Sequence, residues 1–347
     1  MDVVKLKITP GHLWSAGIIW PIVCTGVVGA RFATRRAYSR LGWDDWLSLP
    51  ALIGLYGVSA AVIYGVAIKA MGYPDENYNF NYVEYQSRTL TINRKVYWSS
   101  AVVLAATLGF IKLSCLAFYY RAFKMGIHRV AEAILWSLIV ITVIWGISFT
   151  VANLLFCGNL SHLEWLWSRG GDYLKCTTDT YMLQKSFAIS DVVTDALIVL
   201  YPLPFVARLQ ISLARKVAIA FVFLLGSATL AMSAVRLECL LQAVKVTKEL
   251  VVGNPDVGPG DILTVTTYFM IMEAGFGLCA ICLPTLSSTT RISGVQTFFQ
   301  NVSKIFSVRS NSSVTSSGSR DKNPAVGEKT SGSLERAHSN EIEVQTA

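Results

Sequence analysis

The stretch AILWSLIVITVIWGISFTVANLLF, residues Ala133–Phe156, contains no Asp, Glu, Lys or Arg. As an α-helix rising 1.5 Å per residue, it is long enough to cross the roughly 30 Å hydrocarbon core of a bilayer. A barrel strand would be shorter and would alternate apolar with polar residues, whereas a helix satisfies its own backbone hydrogen bonds in lipid. The stretch therefore predicts a membrane-spanning helix.

Six more runs are predominantly apolar and long enough to cross a bilayer, and the whole chain is 53% hydrophobic and only 15% charged. Water-soluble globular chains of 347 residues rarely have this composition. We predict an all-α, polytopic membrane protein built as a bundle of seven transmembrane helices. The predicted spans are Leu13–Ala30, Leu47–Ile68, Trp98–Tyr120, Ala133–Phe156, Ser186–Val206, Val217–Leu240 and Ile262–Leu286.

Short basic loops between these spans predict the orientation. Because short cytosolic loops are enriched in Lys and Arg, we expect the N-terminus outside and the C-terminus in the cytosol, in either the plasma membrane or the endoplasmic reticulum. The net charge of +8 comes largely from such flanking residues and no nucleic-acid motif accompanies it, so lipid and not nucleic acid is the expected contact. The basic residues in question are Arg31, Arg35, Arg36, Arg40, Arg121, Lys124, Arg129, Arg208, Arg215 and Lys216.

Composition divides the chain into four regions. Residues 1–12 are an extracellular N-terminus, and residues 13–286 form the transmembrane domain. Residues 287–308 have apolar side chains at helical spacing between basic ones, which predicts an amphipathic helix on the inner leaflet. Residues 309–347 are rich in Ser and too polar to fold, so we expect a disordered cytosolic tail. That tail is either a solvated terminus or, if phosphorylated, a contact for a cytosolic signalling partner.

Two cysteines flank a loop on the predicted extracellular side, Cys157 and Cys176. Because that side is oxidising, a disulfide between them is favoured over two free thiols. The same loop carries the glycosylation sequon at Asn159, close to the predicted membrane boundary.

Ionisable side chains inside the predicted spans usually face the bundle interior, because charges are costly in lipid. Spacing along the helices places Asp195 and Glu273 near the midplane. We expect Lys112 to pair with Asp195, and Arg236 to pair with Asp191. Glu273 is then unpaired or protonated, since an isolated buried carboxylate is neutralised more readily than it is desolvated. The set consists of Lys112, Asp191, Asp195, Arg236, Glu238 and Glu273.

Two interpretations of this set remain open. The side chains are either structural ties between helices or the lining of an outward-facing cavity that binds a ligand or moves a proton. The excess of acids over bases slightly favours the functional interpretation. A separate acidic pair, Asp44 and Asp45, is expected to bind Arg31 or Arg35 and to clamp the first cytosolic loop.

Several motifs follow one another in a recognisable order: Arg31–Trp46, Lys112–Arg121, Asp191–Pro204, Ala234–Leu237, Glu273 and Cys282–Leu286. In this order they resemble the fungal rhodopsin-domain family of integral membrane proteins. That family includes receptor-like proteins of the Pth-eleven type and membrane proteins of secondary-metabolite clusters, such as the satratoxin cluster. The resemblance covers roughly residues 10–290 and implies seven spans. The sequence lacks the cysteine-rich domain found in some receptor-like members.

The resemblance does not imply a photopigment. Retinal attachment requires a lysine in the seventh span, and Ile262–Leu286 contains none. The four histidines are scattered, so no metal site is predicted, and no cofactor motif is present.

Two hypotheses for the function follow. The first is a receptor-like sensor of a small extracellular or lipophilic ligand. The second is a membrane-embedded enzyme, or an accessory protein, of a secondary-metabolite pathway. As an enzyme it would be a cyclase or isomerase in which Asp195 or Glu273 acts as a general acid on a lipophilic, terpenoid-like substrate.

Overall fold

The computed structural model describes residues 8–38, 40–73, 88–123, 129–155, 172–202, 223, 226–242 and 259–289. All regular secondary structure in these residues is helical, as the apolar runs predict. The helices are α1 Pro10–Tyr38, α2 Trp43–Trp46, α3 Ser48–Ala67, α4 Arg88–Phe123, α5 Arg129–Leu155, α6 Asp172–Leu200 and α7 Pro259–Thr289. Residues 226–242 are also helical, and we refer to them as segment 226–242.

Five helical stretches in the described part of the chain are long and apolar enough to cross a membrane. Apart from at most three residues at the C-terminal ends of spans two, four and seven, they contain predicted spans one to four and seven, which confirms a multi-pass membrane protein. The fifth and sixth predicted spans correspond to α6 and segment 226–242. That these two also cross the membrane, which would make seven spans, stays a prediction. The five stretches are Pro10–Ala37, Trp43–Ala67, Thr91–Arg121, Arg129–Leu155 and Gly260–Leu283.

Helix boundaries differ from the predictions at several points. The fifth span was predicted to continue to Val206, but α6 ends at Leu200, and Tyr201 and Pro202 form a turn. Pro202 disfavours a helical conformation in the residue before it and has no backbone N–H, so the helix ends there. At the N-terminal end of the bundle, α1 begins at Pro10, three residues before the predicted Leu13.

The longest helix, α4, lies at the centre of the packing and contacts α3, α5, α6 and α7. On the other side, α1 packs against α3 and α7. The α1–α7 contact is close because Gly275 presents only a hydrogen to the Trp20 ring, where any Cβ would collide. Trp20 Nε1 also donates a hydrogen bond to Met272 Sδ at 3.0 Å.

The surface of the bundle is apolar along much of α5. Ile134, Val140, Ile144, Ile147 and Val151 are all more than 40% exposed. A soluble protein would bury such side chains, so this face of α5 is suited to contact with lipid tails.

Several predictions fall outside the described residues. Cys157, Asn159 and the side chain of Cys176 are not described, so the disulfide and the glycosylation site stay predictions. The same is true of residues 290–308 of the amphipathic helix and of the tail at residues 309–347.

Candidate functional site

Five ionisable side chains from four helical elements meet in the bundle interior, and we call them the charge cluster. Four are almost fully buried, and Asp195 is 13% exposed. The cluster consists of Lys112 on α4, Asp191 and Asp195 on α6, Arg236 on segment 226–242 and Glu273 on α7.

Asp191 is the central anion of the cluster. Its Oδ1 accepts a hydrogen bond from Lys112 Nζ at 2.7 Å, and its Oδ2 accepts one from Arg236 Nη2 at 2.6 Å. Lys112 Nζ also lies 3.0 Å from Asp195 Oδ1 and donates to Thr194 Oγ1 at 2.5 Å. The expected contacts of Lys112 with Asp195 and of Arg236 with Asp191 are therefore both present, but Asp191 is shared between the two bases.

Glu273 was expected to be unpaired or protonated, and the structure corrects the first alternative, because Glu273 has a basic partner. Its Oε2 lies 3.1 Å from Arg236 Nη1, and it is 1% exposed. The one-to-one pairing failed because a guanidinium presents several N–H groups in a planar fork. Arg236 therefore contacts Asp191 with one terminal nitrogen and Glu273 with the other.

Ser233 connects two of the acids, and sequence analysis did not identify it. Its Oγ lies 3.0 Å from Asp195 Oδ2, 2.6 Å from Glu273 Oε1 and 3.0 Å from the Thr229 carbonyl oxygen. A hydroxyl has one hydrogen to donate, so it satisfies only one of these acceptors at a time. The arrangement is satisfied when one carboxyl carries a proton and donates it to Ser233 while the hydroxyl donates to the other. Three acids against two bases leave room for that proton.

Two aromatic rings line the cluster. The Trp145 ring centroid lies 4.4 Å from Lys112 Nζ, and the Phe187 centroid lies 4.8 Å from Arg236 Cζ. The two rings stack with centroids 5.3 Å apart, and Trp145 Nε1 donates to Ser190 Oγ at 2.8 Å. Both cations thus lie over aromatic faces, which attract positive charge and exclude water.

Glu238 does not join the cluster. Its Oε1 accepts a hydrogen bond from Gln242 Nε2 at 2.6 Å, one helical turn further along the same segment. Residues two positions apart project from nearly opposite sides of a helix, so Glu238 cannot face the acids that Arg236 binds.

A second buried ionic group connects α1 to the short helix α2, and we call it the loop clamp. Arg31 Nη2 lies 2.7 Å from Asp44 Oδ2, and Arg31 Nε lies 2.7 Å from Asp45 Oδ1. Arg35 lies 3.3 Å from Asp44 and 3.5 Å from Asp45. Arg121 Nη1 on α4 lies 3.4 Å from Asp44 Oδ1. Arg31, Asp44 and Asp45 are at most 2% exposed, so these contacts are shielded from water.

The loop clamp also reaches two of the helices that hold the charge cluster. Ser114 Oγ on α4 donates to the Asp44 carbonyl oxygen at 2.6 Å. Arg31 Nη1 donates to the Ile281 carbonyl oxygen on α7. Since Lys112 is on α4 and Glu273 on α7, both helices carry contacts to both ionic groups.

Three acids that lie close together can also bind a metal ion. Ligand oxygens of Asp191, Asp195 and Glu273 lie within 4.8 Å of one another, close enough to share an ion. However, Lys112 and Arg236 already bring two positive charges to these carboxylates and would repel a cation. The geometry favours ion pairing and a shared proton over metal binding.

Comparison with known proteins gives a family and two relatives. A family model described as the fungal rhodopsin domain matches residues 30–292. The polyenoic acids biosynthesis gene cluster protein Ba17b of Metarhizium anisopliae is 28% identical over 203 residues, which cover 58% of this chain. The match covers 52% of that relative, so this chain spans about half its length.

A second relative is similar over a longer region. The phomoidride biosynthesis cluster protein H of a fungal species (strain ATCC 74256) is 22% identical over 302 residues, covering 81% of this chain and 88% of the relative. No solved structure matches the chain.

Proposed function

This chain belongs to the fungal rhodopsin domain family, and we propose that it is a receptor-like sensor of a small lipophilic molecule that does not use retinal. The observation that supports this proposal is the joining of two buried ionic groups by the same two helices, α4 and α7. A sensor needs a ligand site and a distant site that responds, connected by an element with two arrangements.

The charge cluster is the proposed ligand-responsive site. Its contacts join α4, α6, segment 226–242 and α7, so a ligand that binds beside them changes how these elements pack. The shared proton makes a second arrangement accessible, because it can reside on Asp195 or on Glu273. A ligand that favours one arrangement shifts the population toward it.

The loop clamp is the proposed response site, on the side that the basic loops predict to be cytosolic. Glu273 and Ile281 are eight residues apart on α7, about 12 Å along the axis. A small shift of α7 at Glu273 therefore moves the carbonyl that binds Arg31. Loss of that contact loosens Arg31 and the two aspartates it holds, which changes the surface offered to a cytosolic partner.

The names of both relatives guide the choice of ligand. Each is described as a protein of a biosynthesis cluster, one for polyenoic acids and one for phomoidride. By analogy, we propose that this chain detects a product or intermediate of such a pathway from within the membrane.

A second candidate, an enzyme, is favoured by one specific observation, the position of Ser233 Oγ between the carboxyls of Asp195 and Glu273, at 3.0 and 2.6 Å, which suits a proton shared between the two acids. One carboxyl could transfer that proton to an alkene carbon of a polyene, producing a carbocation. A second alkene would attack the cation and close a ring, and the carboxylate would take a proton back. The reaction is then an isomerisation that consumes no other reagent. The Trp145 and Phe187 rings would stabilise the cation.

One complementation experiment separates the two candidates. Variants Glu273→Gln and Arg31→Lys are placed in a deletion strain of the source fungus, and both the metabolites and the transcripts of neighbouring biosynthetic genes are measured. A sensor loses the transcriptional response in both variants, since each disturbs one of the coupled ionic groups. An enzyme loses product only with Glu273→Gln, because Arg31 contacts α7 at Ile281, about 12 Å along the axis from Glu273, and belongs to the loop clamp rather than to the charge cluster.

The same strain provides a direct test of catalysis. Microsomes from yeast expressing the full chain are incubated with lipid extract of the deletion strain, and conversion is followed by mass spectrometry. Conversion that depends on Glu273 would make the chain an enzyme and end the sensor proposal. Folded protein without conversion supports the sensor.

A further inference from the structure

Buried polar atoms without hydrogen-bond partners follow one stripe of α4. Among the described residues, Asn93 Oδ1, Tyr97 Oη and Ser100 Oγ have no such partner. These side chains are 3%, 9% and 0% exposed. Positions four and three residues apart lie on the same face of a helix, so the three groups form one row.

The row leads toward the charge cluster. Asn93 is the first residue of the row, and its Nδ2 donates a hydrogen bond to the Gly260 carbonyl oxygen on α7 at 3.5 Å. Tyr97 lies near enough to Arg236 for an electrostatic interaction between the two side chains. Arg236 Nε and Nη1 are both buried and without a hydrogen-bond partner, although Nη1 lies 3.1 Å from Glu273 Oε2 as an ion pair and Nη2 bonds Asp191.

Unmatched polar groups at such depth are costly, and in native proteins they usually mark a water or a ligand. Three of these groups can donate a hydrogen bond: the Arg236 N–H and the hydroxyls of Tyr97 and Ser100. They therefore suit an acceptor oxygen. With one proton on the excess acid the adjacent cluster is neutral, so a carboxylate ligand would bring an unmatched negative charge, whereas a neutral oxygen would not.

We propose that Tyr97, Ser100 and Arg236 bind the neutral oxygen, a hydroxyl or a carbonyl, of a lipophilic ligand that enters along the seam between α4 and α7. This inference rests on the proposed sensor, because it names the chemistry of the molecule that the sensor detects. The apolar part of the ligand would lie among the α4 and α7 side chains of the core, such as Val96, Val265 and Phe269.

The test uses the full chain in lipid nanodiscs and three photoreactive probes. The probes are a long-chain alcohol with a diazirine in the chain, the carboxylate of equal length and the corresponding hydrocarbon. Cross-linked peptides are mapped by mass spectrometry. The alcohol is expected to label α4 and α7 near the row, and unlabelled alcohol should compete. The hydrocarbon should label the lipid-facing side of α5 instead.

The variant that tests the site is Tyr97→Phe combined with Ser100→Ala. It removes two hydrogen bonds to the ligand and should reduce labelling by the alcohol roughly tenfold. Without the probe, the variant should unfold at the same or a higher temperature, since it deletes hydroxyls that have no partner. The matched control is Tyr64→Phe with Ser99→Ala: the Tyr64 side chain is 61% exposed, and Ser99 Oγ bonds only its own helix, at Val96 O. The control should label like the unmodified chain.

Equal labelling by all three probes, or equal labelling of the test and control variants, would overturn the proposal. A test variant that is clearly less stable than the control would also overturn it, because the two hydroxyls would then have partners within the protein. If specific labelling is found but the transcriptional response is absent, the binding site stands and the sensor proposal fails. If the transcriptional response is found but does not depend on Tyr97 and Ser100, the sensor proposal stands and this binding site fails.

Discussion

Replacing Asp191 with asparagine tests how the charge cluster is held together. The substitution preserves the shape of the side chain but removes the charge that Lys112 and Arg236 share at 2.7 and 2.6 Å. It also turns an N–H₂ donor toward one of the two bases. Because Asp191 is fully buried, water cannot replace the lost contacts.

The size of the effect follows from this geometry. Removing one partner of a buried ion pair typically costs about 3–5 kcal/mol. Asp195 and Glu273 each lie within 3.1 Å of one of the bases and compensate in part, so we expect a loss near the lower end, about 3 kcal/mol. The matched variant is Asp195→Asn. It removes one salt bridge and alters the Ser233 contact at a carboxyl that is 13% exposed, but Lys112 keeps its contact with Asp191, so we expect a smaller loss, about 1–2 kcal/mol.

The assay is unfolding of the full chain in mixed detergent micelles, followed by circular dichroism as denaturing detergent is added. Free energies of unfolding are compared among the unmodified chain, Asp191→Asn and Asp195→Asn. If the two variants lose equal stability, Asp191 is not the anion that both bases share. An Asp191→Asn variant as stable as the unmodified chain would show that the cluster does not hold the helices together.

The remaining predictions concern the loop clamp and the aromatic lining. Gly42→Ala should destabilise the chain by about 1–3 kcal/mol, because a Cβ there would overlap the Asp44 carboxylate, whereas Gly26→Ala, which meets no atom within 4 Å, should be neutral in the same unfolding assay. Arg31→Lys should cost about 2 kcal/mol, since an ammonium cannot bind two carboxylates in the planar geometry of a guanidinium. Trp145→Phe should lower the free energy of unfolding by about 1–2 kcal/mol, measured as a lower Tm. It removes the indole N–H hydrogen bond to Ser190, and the phenyl ring attracts the Lys112 ammonium less strongly than the indole does.

Hydropathy predicted much of the fold because an uncharged apolar run has few alternatives to a spanning helix. Five runs, including Ala133–Phe156, correspond to helices with the required length and composition. The α6 run is less clear for a physical reason: the charges that build the cluster also make the helix less apolar. Its true end, at Leu200, depends on local proline chemistry that a hydropathy window averages out.

Depth along the helices identified the ionisable members of the cluster but not how they share contacts. Sequence spacing gives the height of a side chain in the membrane and says little about the rotation of each helix. Ser233 was missed because a serine in a spanning helix usually bonds the carbonyl four residues earlier, as it does here with Thr229. Tyr97 and Ser100 were missed for a related reason, since an absent hydrogen bond has no sequence signature.

The two ionic groups differ in when they can form as the chain is made. Arg31 and Asp44 are only 13 residues apart, so the first contact of the loop clamp can form before most of the bundle has been made. Lys112 finds Asp191 only after 79 residues. A lysine in a spanning helix costs about 2.5–3.5 kcal/mol at insertion, and before α6 is made the Trp145 ring on α5 is available to it but the two aspartates are not. The charge cluster is therefore complete only when α6, segment 226–242 and α7 have all been made.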